Sequence, residues 1–474
     1  MEDWRSELNK MNFASMKGKW KSSVLVKELK RVSFMGAPMV ALMVSHYLIR
    51  FISVMMVGHL DELSLAGVSM ATSFTSVTGF TLLLGLANGL ETLCGQAYGA
   101  EQYHKLGIYT YTSIISLIFV CFPISIIWIF TDKILILMGQ DHSISVVAQK
   151  YSIYLIPNLF CYAILQSLIR YLQTQSLILP MLYSTLAALC LHIPLCWVLV
   201  FKLELEITGA ALAINISYWI NVILLGFYIK FSSACEKTRP VFSMEVFLKI
   251  KEFFRFGIPS ALMVCLEWWS YEVIILLAGL LPNPKLETSV ISICFSITYL
   301  HSFVPYGFGA TASTRVSNEL GGGNSEAAKV AVFAVMLLAV VEIVIVSSTL
   351  FICRHVLGYA FSNERKVVDH VGDMGPLISL SIIMDGLQAV LSGVARGTGW
   401  QNVGAFVNLG AYYLVGTPLG AVLAFVVHLK GKGLWIGLVT GSTVQVGLLA
   451  LRTSLTNWPK QASKARNRIF ETAS

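Results

Sequence analysis

Twelve apolar, charge-poor stretches recur along the chain, and they constrain its fold more than any other feature. Each is about 20 residues long, enough to cross about 30 Å of hydrocarbon as an α-helix. Backbone groups cannot stay unpaired in lipid, and these runs are too long and too uniformly apolar for barrel strands. The sequence therefore predicts an all-α integral membrane protein. The approximate spans are 33–57, 68–93, 107–130, 147–170, 180–201, 208–230, 255–281, 288–312, 327–352, 371–396, 402–428 and 432–453.

The composition excludes a soluble protein, because 56% of the 474 residues are hydrophobic and only 13% are charged. The net charge of +8 does not indicate nucleic-acid binding, because the basic residues are distributed unequally between the two sides of the predicted membrane. Of the 34 lysine and arginine residues, about 24 fall on one side and nine on the other, apart from Arg50 inside a span. The positive-inside rule places both termini in the cytosol. The nine cysteines are scattered without a C-x-x-C pair, so we expect no disulfide framework and no metal site.

The chain is an internal duplication with an offset of about 221 to 226 residues. "GAPMVALM", which contains Pro38, resembles "GIPSALMV", which contains Pro259. Further along, "GLANGLETLCGQAYG" overlays "GFGATASTRVSNELG", and "HIPLCWVLVF" overlays "GTPLGAVLAF". Six helices is an even number, so both halves enter the membrane from the same side as parallel repeats.

This duplication predicts two six-helix lobes around a central cavity. The segments are a cytosolic tail at 1–32, an N-lobe at 33–230, a basic cytosolic linker at 231–254, a C-lobe at 255–453 and a cytosolic tail at 454–474. A duplicated twelve-helix protein without soluble domains is typical of secondary transporters that work by alternating access. There is no G-x-x-x-x-G-K-[ST] phosphate loop, so we expect an ion gradient to drive it, with no cofactor.

Ionisable residues within apolar helices are the candidates for the coupling site. Asp385 lies on a polar stripe of the tenth helix that also carries Gln388. Glu267 lies in the seventh helix, in "CLEWWSYE". Candidate cavity residues on polar or aromatic stripes of the C-lobe are Trp268, Tyr271, Ser292, Ser296, Tyr299, Gln388, Asn408 and Tyr412. Structural hydrogen bonding and packing remain the alternative roles for all of them.

The first helix carries His46 and Arg50 on one face. The repeat places His46 opposite Glu267. Arg50 could pair with an acid or set the potential of a cavity, and its role stays open. Pro259 lies two turns before Glu267 and would give the seventh helix a point of bending.

Several stretches together resemble the plant branch of the multidrug and toxic compound extrusion (MATE) family, the DETOXIFICATION-type proteins. They are "SVMMVGHL", "LETLCGQAYGA", "CLEWWSYE", "LLPNPKLETSVISIC" and "VARGTGWQ". The resemblance implies export of organic, often cationic and amphipathic compounds in exchange for protons. It also implies that Glu267 and Asp385 are proton and cation sites. The first-helix acid of many bacterial relatives has no counterpart between Phe34 and Gly58.

The resulting hypothesis is that Glu267 and Asp385 hold either protons or a cationic cargo, because both compete for the same negative charge. We expect small organic molecules and the lipid bilayer as partners, no nucleic acid, and a monomer. The plasma membrane is the expected location, with the vacuolar membrane as the alternative. A lipid flippase of a related fold is the rival function. A membrane enzyme is disfavoured because no clustered His or Asp motif is present.

Overall fold

The computed structural model describes residues 18–239 and 242–471, and within them the fold is all-helical. Within these described residues, twelve helices are long and apolar enough to cross a membrane, which confirms the predicted number of spans. They are α1 Gly18–Val57, α2 Glu62–Gly99, α3 Tyr103–Ile129, α4 His142–Thr174, α5 Ile178–Lys202, α6 Glu206–Phe231, α7 Ile250–Ala278, α8 Pro284–Gly321, α9 Ser325–Ala360, α10 Arg365–Thr398, α11 Gln401–Val426 and α12 Lys430–Ser454.

Several of these helices extend well beyond the predicted apolar cores. The helix α8 has 38 residues, which at 1.5 Å per residue is about 57 Å, or nearly twice the hydrocarbon thickness. Residues 1–17 of the predicted N-terminal tail lie outside the described residues, and α1 begins at Gly18 within the rest of it. The predicted C-terminal tail contains a further helix, α13, at Trp458–Glu471.

Short polar side chains start two of the helices. The Asp61 carboxylate accepts hydrogen bonds from the backbone N–H of Ser64 at 2.8 Å and from its hydroxyl at 2.7 Å. These bonds cap α2 and hold the pKa of Asp61 below its ordinary value. Asp141 caps α4 in the same way, through the backbone N–H groups of Ser143 and Ile144.

The chain forms two compact units whose boundaries lie inside helices. Among the described residues, one unit contains those up to Val40 and from Leu262 onward, and the other contains those within Ala41–Ala261. This division differs from the predicted lobes, which were separated at loops and linkers, where domain boundaries usually fall. Each boundary here comes two residues after a proline of the repeat, Pro38 in α1 or Pro259 in α7.

The unit that contains the C-lobe helices is built around the crossing of α8 and α10. A Cβ atom on Gly393 of α10 would collide with the carbonyl oxygen of Gly309 of α8. Glycine at both positions therefore lets the two backbones come into direct contact. This close approach positions the acid of α10 beside the polar residues of α8.

Candidate functional site

Glu267 of α7 is buried and holds two short hydrogen bonds through its carboxylate. The hydroxyl of Tyr306 donates to Oε1 at 2.6 Å, and the amide of Gln388 donates to Oε2 at 2.6 Å. Only 9% of the residue is exposed. The same Gln388 amide nitrogen lies 3.2 Å from the Ser392 hydroxyl. The helices α7, α8 and α10 thus converge on this one carboxylate.

Asp385 of α10 is the second acid of the site. The hydroxyl of Tyr271 donates to Oδ2 at 3.2 Å, and the hydroxyl of Ser442 donates to Oδ1 at 3.0 Å. Tyr271 lies one helical turn after Glu267 on α7, so the two acids are linked through neighbouring positions of one helix. Both hydrogen-bond donors to Asp385 are uncharged hydroxyl groups.

A buried chain of hydrogen bonds continues from Asp385 into α11 and α12. The Tyr412 hydroxyl lies 3.3 Å from that of Ser442 and donates to Oε1 of Gln445 at 2.7 Å. The Gln445 amide donates to Oδ1 of Asn408 at 2.7 Å. The Asn408 amide in turn donates to the backbone carbonyl of Met263 in α7 at 2.7 Å. Two of the predicted cavity residues, Tyr412 and Asn408, therefore connect to the acids indirectly. Tyr412 contacts Ser442, the partner of Asp385, and Asn408 contacts the backbone of α7.

A cavity of about 30 Å³ lies against both acids. This volume holds about two water molecules, far less than a drug-sized ligand needs. Trp268 packs against three tyrosines at the cavity wall, with ring centroids 6.3 Å from Tyr271, 5.4 Å from Tyr299 and 6.1 Å from Tyr306. The lining residues are Glu267, Trp268, Tyr271, Phe295, Thr298, Tyr299, Ser302, Pro305, Tyr306, Asp385 and Gln388.

Four of the predicted cavity residues do not belong to this lining: Asn408 and Tyr412, described above, and Ser292 and Ser296. Ser292 and Ser296 lie on α8, and the Ser296 hydroxyl bonds the carbonyl of Ser292 within the helix at 2.8 Å. A serine hydroxyl can be satisfied by its own helix, so it does not have to face a cavity. The face of α8 that does line the cavity carries Thr298, Ser302 and Tyr306 instead. Pro259 lies inside the helical span of α7.

Sequence reasoning missed several residues of the site. Tyr306 follows Pro305, and this position was not recognised as polar lining. Ser442 and Gln445 stand three residues apart on the apolar helix α12, a signal that was available in the sequence. A further pair joins α8 to α9, where Nε2 of His301 lies 2.9 Å from Oε1 of Glu342.

A protein-family model described as MatE matches the chain at residues 38–198 and 259–422. The two matched segments begin 221 residues apart, at the repeat-related prolines Pro38 and Pro259. This agrees with the offset found in the sequence, and it confirms that the two halves are related repeats.

The chain is also similar to curated proteins of Arabidopsis thaliana. It is 53% identical to Protein DETOXIFICATION 3 over 453 residues, which covers 96% of this chain and 95% of the relative. It is 54% identical to Protein DETOXIFICATION 14 over 450 residues, which covers 95% and 93% of the two chains.

Two solved structures resemble the fold. The crystal structure of the eukaryotic MATE transporter AtDTX14 superposes with a TM-score of 0.91 at 53% identity, covering 94% of this chain and all of the other. An outward-facing multidrug resistance MATE family transporter has a TM-score of 0.81 at 17% identity, covering 93% and 97%. The second similarity shows a shared fold only.

Proposed function

The chain belongs to the MATE family of membrane efflux transporters, and we propose that it exchanges protons for organic, often cationic and amphipathic compounds, including xenobiotics. The observation that carries this proposal is the presence of two acids, Glu267 and Asp385, at one cavity inside apolar helices. Intramembrane acids of this kind are typical of proton and cation pathways.

The partners of the two carboxylates are suited to both protonation states. Hydroxyl and amide groups can donate to an ionised carboxylate, and they can also accept from a protonated one after rotation. Tyr306, Gln388, Tyr271 and Ser442 are all groups of this kind. A proton can therefore bind or leave without stranding a buried polar atom, which would be unfavourable.

Competition for the same negative charge provides the exchange. When ionised, the acids attract a cationic group. When protonated from the acidic side, they release it. The neutral site is then exposed to the cytosol, where the acids must release their protons before they bind a cation again. A pH gradient contributes about 1.4 kcal/mol per unit for each proton. The membrane potential adds about 2.3 kcal/mol per net charge per 100 mV, but one-for-one exchange with a monovalent cation moves no net charge.

The aromatic wall of the cavity supports a cationic cargo. Trp268, Tyr271 and Tyr299 can hold a cation over their ring faces. The cavity of about 30 Å³ has room for about two water molecules in this conformation. A larger cargo therefore requires these side chains to separate, as alternating access would provide.

Pro259 is proposed as the point where α7 bends when Glu267 changes its charge. A proline removes one hydrogen bond from the helix and weakens it locally, and the unit boundary follows two residues later. Pro259→Ala should therefore slow transport while leaving cargo binding close to that of the wild type. Unchanged transport by this variant would contradict the bending role.

Transport in proteoliposomes tests the proposed function. A cationic dye should accumulate on the acidic side when a pH gradient is imposed, and nigericin should stop the accumulation. A lipid flippase would instead move labelled lipid with no requirement for the gradient. Dye transport that survives collapse of the gradient would overturn proton coupling.

We also propose that both termini lie in the cytosol, that the protein acts as a monomer, and that it resides in the plasma membrane. The excess of basic residues on one side supports the orientation. Accessibility of terminal tags in intact cells tests it. Fluorescence microscopy of a tagged protein distinguishes the plasma membrane from the vacuolar membrane, and light scattering of the purified protein measures its oligomeric state.

A further inference from the structure

A further pair of ionisable side chains lies beside the two acids of the C-lobe, between α8 and α9. Nε2 of His301 is 2.9 Å from Oε1 of Glu342. The two side chains are 6% and 17% exposed. Glu342 is the only ionisable residue of the sequence between Lys329 and Cys353. A carboxylate within apolar helices is unfavourable unless it is paired or protonated, so the imidazole partner is what makes this acid possible.

Each member of this pair keeps one buried atom without a hydrogen bond. Within the described residues, neither Nδ1 of His301 nor Oε2 of Glu342 has a hydrogen-bond partner. Native proteins contain few such atoms, and each of them needs an explanation. Either atom can take up a proton while the contact between Nε2 and Oε1 stays intact. The pair can therefore change its charge by one unit without losing its hydrogen bond.

His192 of the other unit provides a contrast within the same protein. Its Nε2 lies 3.0 Å from the Ser53 hydroxyl, and its Nδ1 lies 2.8 Å from the Ser217 hydroxyl. Both ring nitrogens therefore contact neutral groups, which offer no opposite charge to an added proton. His301 differs in both respects, because Nε2 contacts a carboxylate and Nδ1 has no partner among the described residues.

The pair lies next to the cavity of Glu267 and Asp385. His301 comes three residues after Thr298 and four before Pro305, and both of these residues line that cavity. Residues at such spacings share one side of a helix. His301 and Asp385 are also close enough to interact electrostatically. A change of charge at one of them therefore alters the free energy of charging the other.

The helix that carries Glu342 packs directly against the helix that carries Asp385. A Cβ atom on Gly386 of α10 would lie 2.6 Å from the side chain of Ile343 of α9. Gly386 follows Asp385, and Ile343 follows Glu342. The two acids therefore lie at the same level of adjacent helices.

The other ionisable side chains near the pair belong to the neighbouring parts of three helices. They are Asp385 on α10, Cys294, Tyr299 and Tyr306 on α8, and Glu267 and Tyr271 on α7 at the cavity. Cysteine and tyrosine side chains are normally neutral at physiological pH. The carboxylates of Asp385 and Glu267 are thus the charges that act on the pair from α10 and α7.

We propose that His301 and Glu342 form a further proton-binding site of the C-lobe, whose proton is retained while Asp385 is ionised and is released when a proton or a cationic cargo neutralises Asp385. The reason is electrostatic, because a negative charge on Asp385 stabilises an imidazolium nearby and this stabilisation is lost once the charge is compensated. The role in transport rests on the proposed proton exchange, whereas protonation of the pair can be measured without any cargo.

The additional proton changes the energetics of the exchange. Cargo binding at Asp385 then displaces a proton from His301 as well as from the acid itself. An exchange of more than one proton for one monovalent cation moves net charge. The membrane potential therefore contributes to transport together with the pH gradient.

Nitrogen NMR of the purified protein with nitrogen-15-labelled histidine measures the protonation of His301 directly. The protein contains nine histidines, and the signal of His301 is the one that is absent in His301→Gln. Between about pH 8 and pH 5, the range in which histidine side chains commonly titrate, this signal should change from the neutral imidazole to the imidazolium form. A signal that keeps one form over this whole range would overturn the proposal, because it would show a purely structural hydrogen bond.

Two variants test the partners of His301. Glu342→Gln removes the carboxylate that stabilises the imidazolium, so the transition of the His301 signal should move by roughly one to three pH units to lower pH. Asp385→Asn should move it in the same direction by less. The signal of His370, an exposed residue at the start of α10, is the control and should not respond to either variant. An unaltered His301 transition in Glu342→Gln would overturn the site, and one in Asp385→Asn would overturn its coupling to the acids.

Glu342→Gln also assigns the signal if His301→Gln does not fold, because among the described residues His301 is the histidine that contacts Glu342. If no histidine signal changed in this variant, the site would be contradicted.

A cationic cargo provides the last test. Tetraphenylphosphonium, added at a pH where His301 is protonated, should convert the His301 signal to the neutral form in the wild type but not in Asp385→Asn. A signal that titrates with pH and ignores the bound cation would overturn release by cargo. Dye transport that needs no proton gradient would overturn the proposed function and leave the titration of His301 intact, so the two proposals can fail separately.

Discussion

Replacement of Arg315 by methionine should strongly destabilise the unit that contains the C-lobe helices. Arg315 of α8 lies 2.7 Å from Glu28 of α1 through Nε and 2.7 Å from Glu319 through Nη2. All three side chains are at most 2% exposed. The network fixes the first part of α1 against α8. Removing the cation takes the guanidinium away from two buried carboxylates.

Breaking a buried ion pair from one side costs about 3–5 kcal/mol. We therefore expect Arg315→Met to lower the free energy of unfolding by about that amount. The free energy of unfolding should fall less in the double variant Arg315→Met with Glu28→Met, because this variant also removes one of the two buried carboxylates. Lys329→Met is the matched control. Its ion pair with Glu326 is partly exposed, and such pairs contribute about 0.2–1 kcal/mol.

Equilibrium unfolding of the purified protein in mixed micelles with increasing sodium dodecyl sulfate, followed by tryptophan fluorescence, measures these differences. A double variant that is less stable than Arg315→Met alone would refute the reasoning, since it would mean that Glu28 stabilises the fold independently of Arg315. An equal decrease in the free energy of unfolding for Arg315→Met and Lys329→Met would also refute the reasoning.

Two further stability predictions can be measured by the same unfolding assay. Gly393→Val should cost at least about 1–3 kcal/mol because its side chain meets the backbone of Gly309, whereas Gly447→Ala should be neutral or stabilising because no atom lies within 4 Å of the added carbon. Trp435→Phe should cost about 1–3 kcal/mol, since it removes a buried 2.8 Å hydrogen bond to Ser381. If Gly393→Val or Trp435→Phe were as stable as the wild type, the contribution of the corresponding contact to stability would be contradicted.

The helices and the position of the acids could be predicted from the sequence because both depend on local patterns. Long apolar runs predict spans whatever their tertiary contacts are. A stripe at helical spacing predicted that Asp385 and Gln388 share a face, and both line the cavity. Glu272 does not line this cavity, because it comes five residues after Glu267 and so lies about 140° further around the helix.

Contacts between distant helices could not be predicted in this way. The orientation of α8 depends on its packing against α10, so Tyr306 was missed and Ser292 and Ser296 were expected at the cavity. The unit boundaries within α1 and α7 also depend on tertiary contacts and leave no mark in hydropathy. The sequence shows Pro38 and Pro259 as a repeated feature, but it does not show that they lie close to the boundaries of the two units.

Proton release on cargo binding tests the central claim most directly. The purified protein is placed in weakly buffered detergent solution at a pH where the acids are protonated, and a lipophilic cation such as tetraphenylphosphonium is added. The wild type should release protons in proportion to the bound cation. A variant that combines Glu267→Gln and Asp385→Asn should release none. Cation binding without proton release by the wild type, or equal release by this variant, would contradict competition at these two carboxylates.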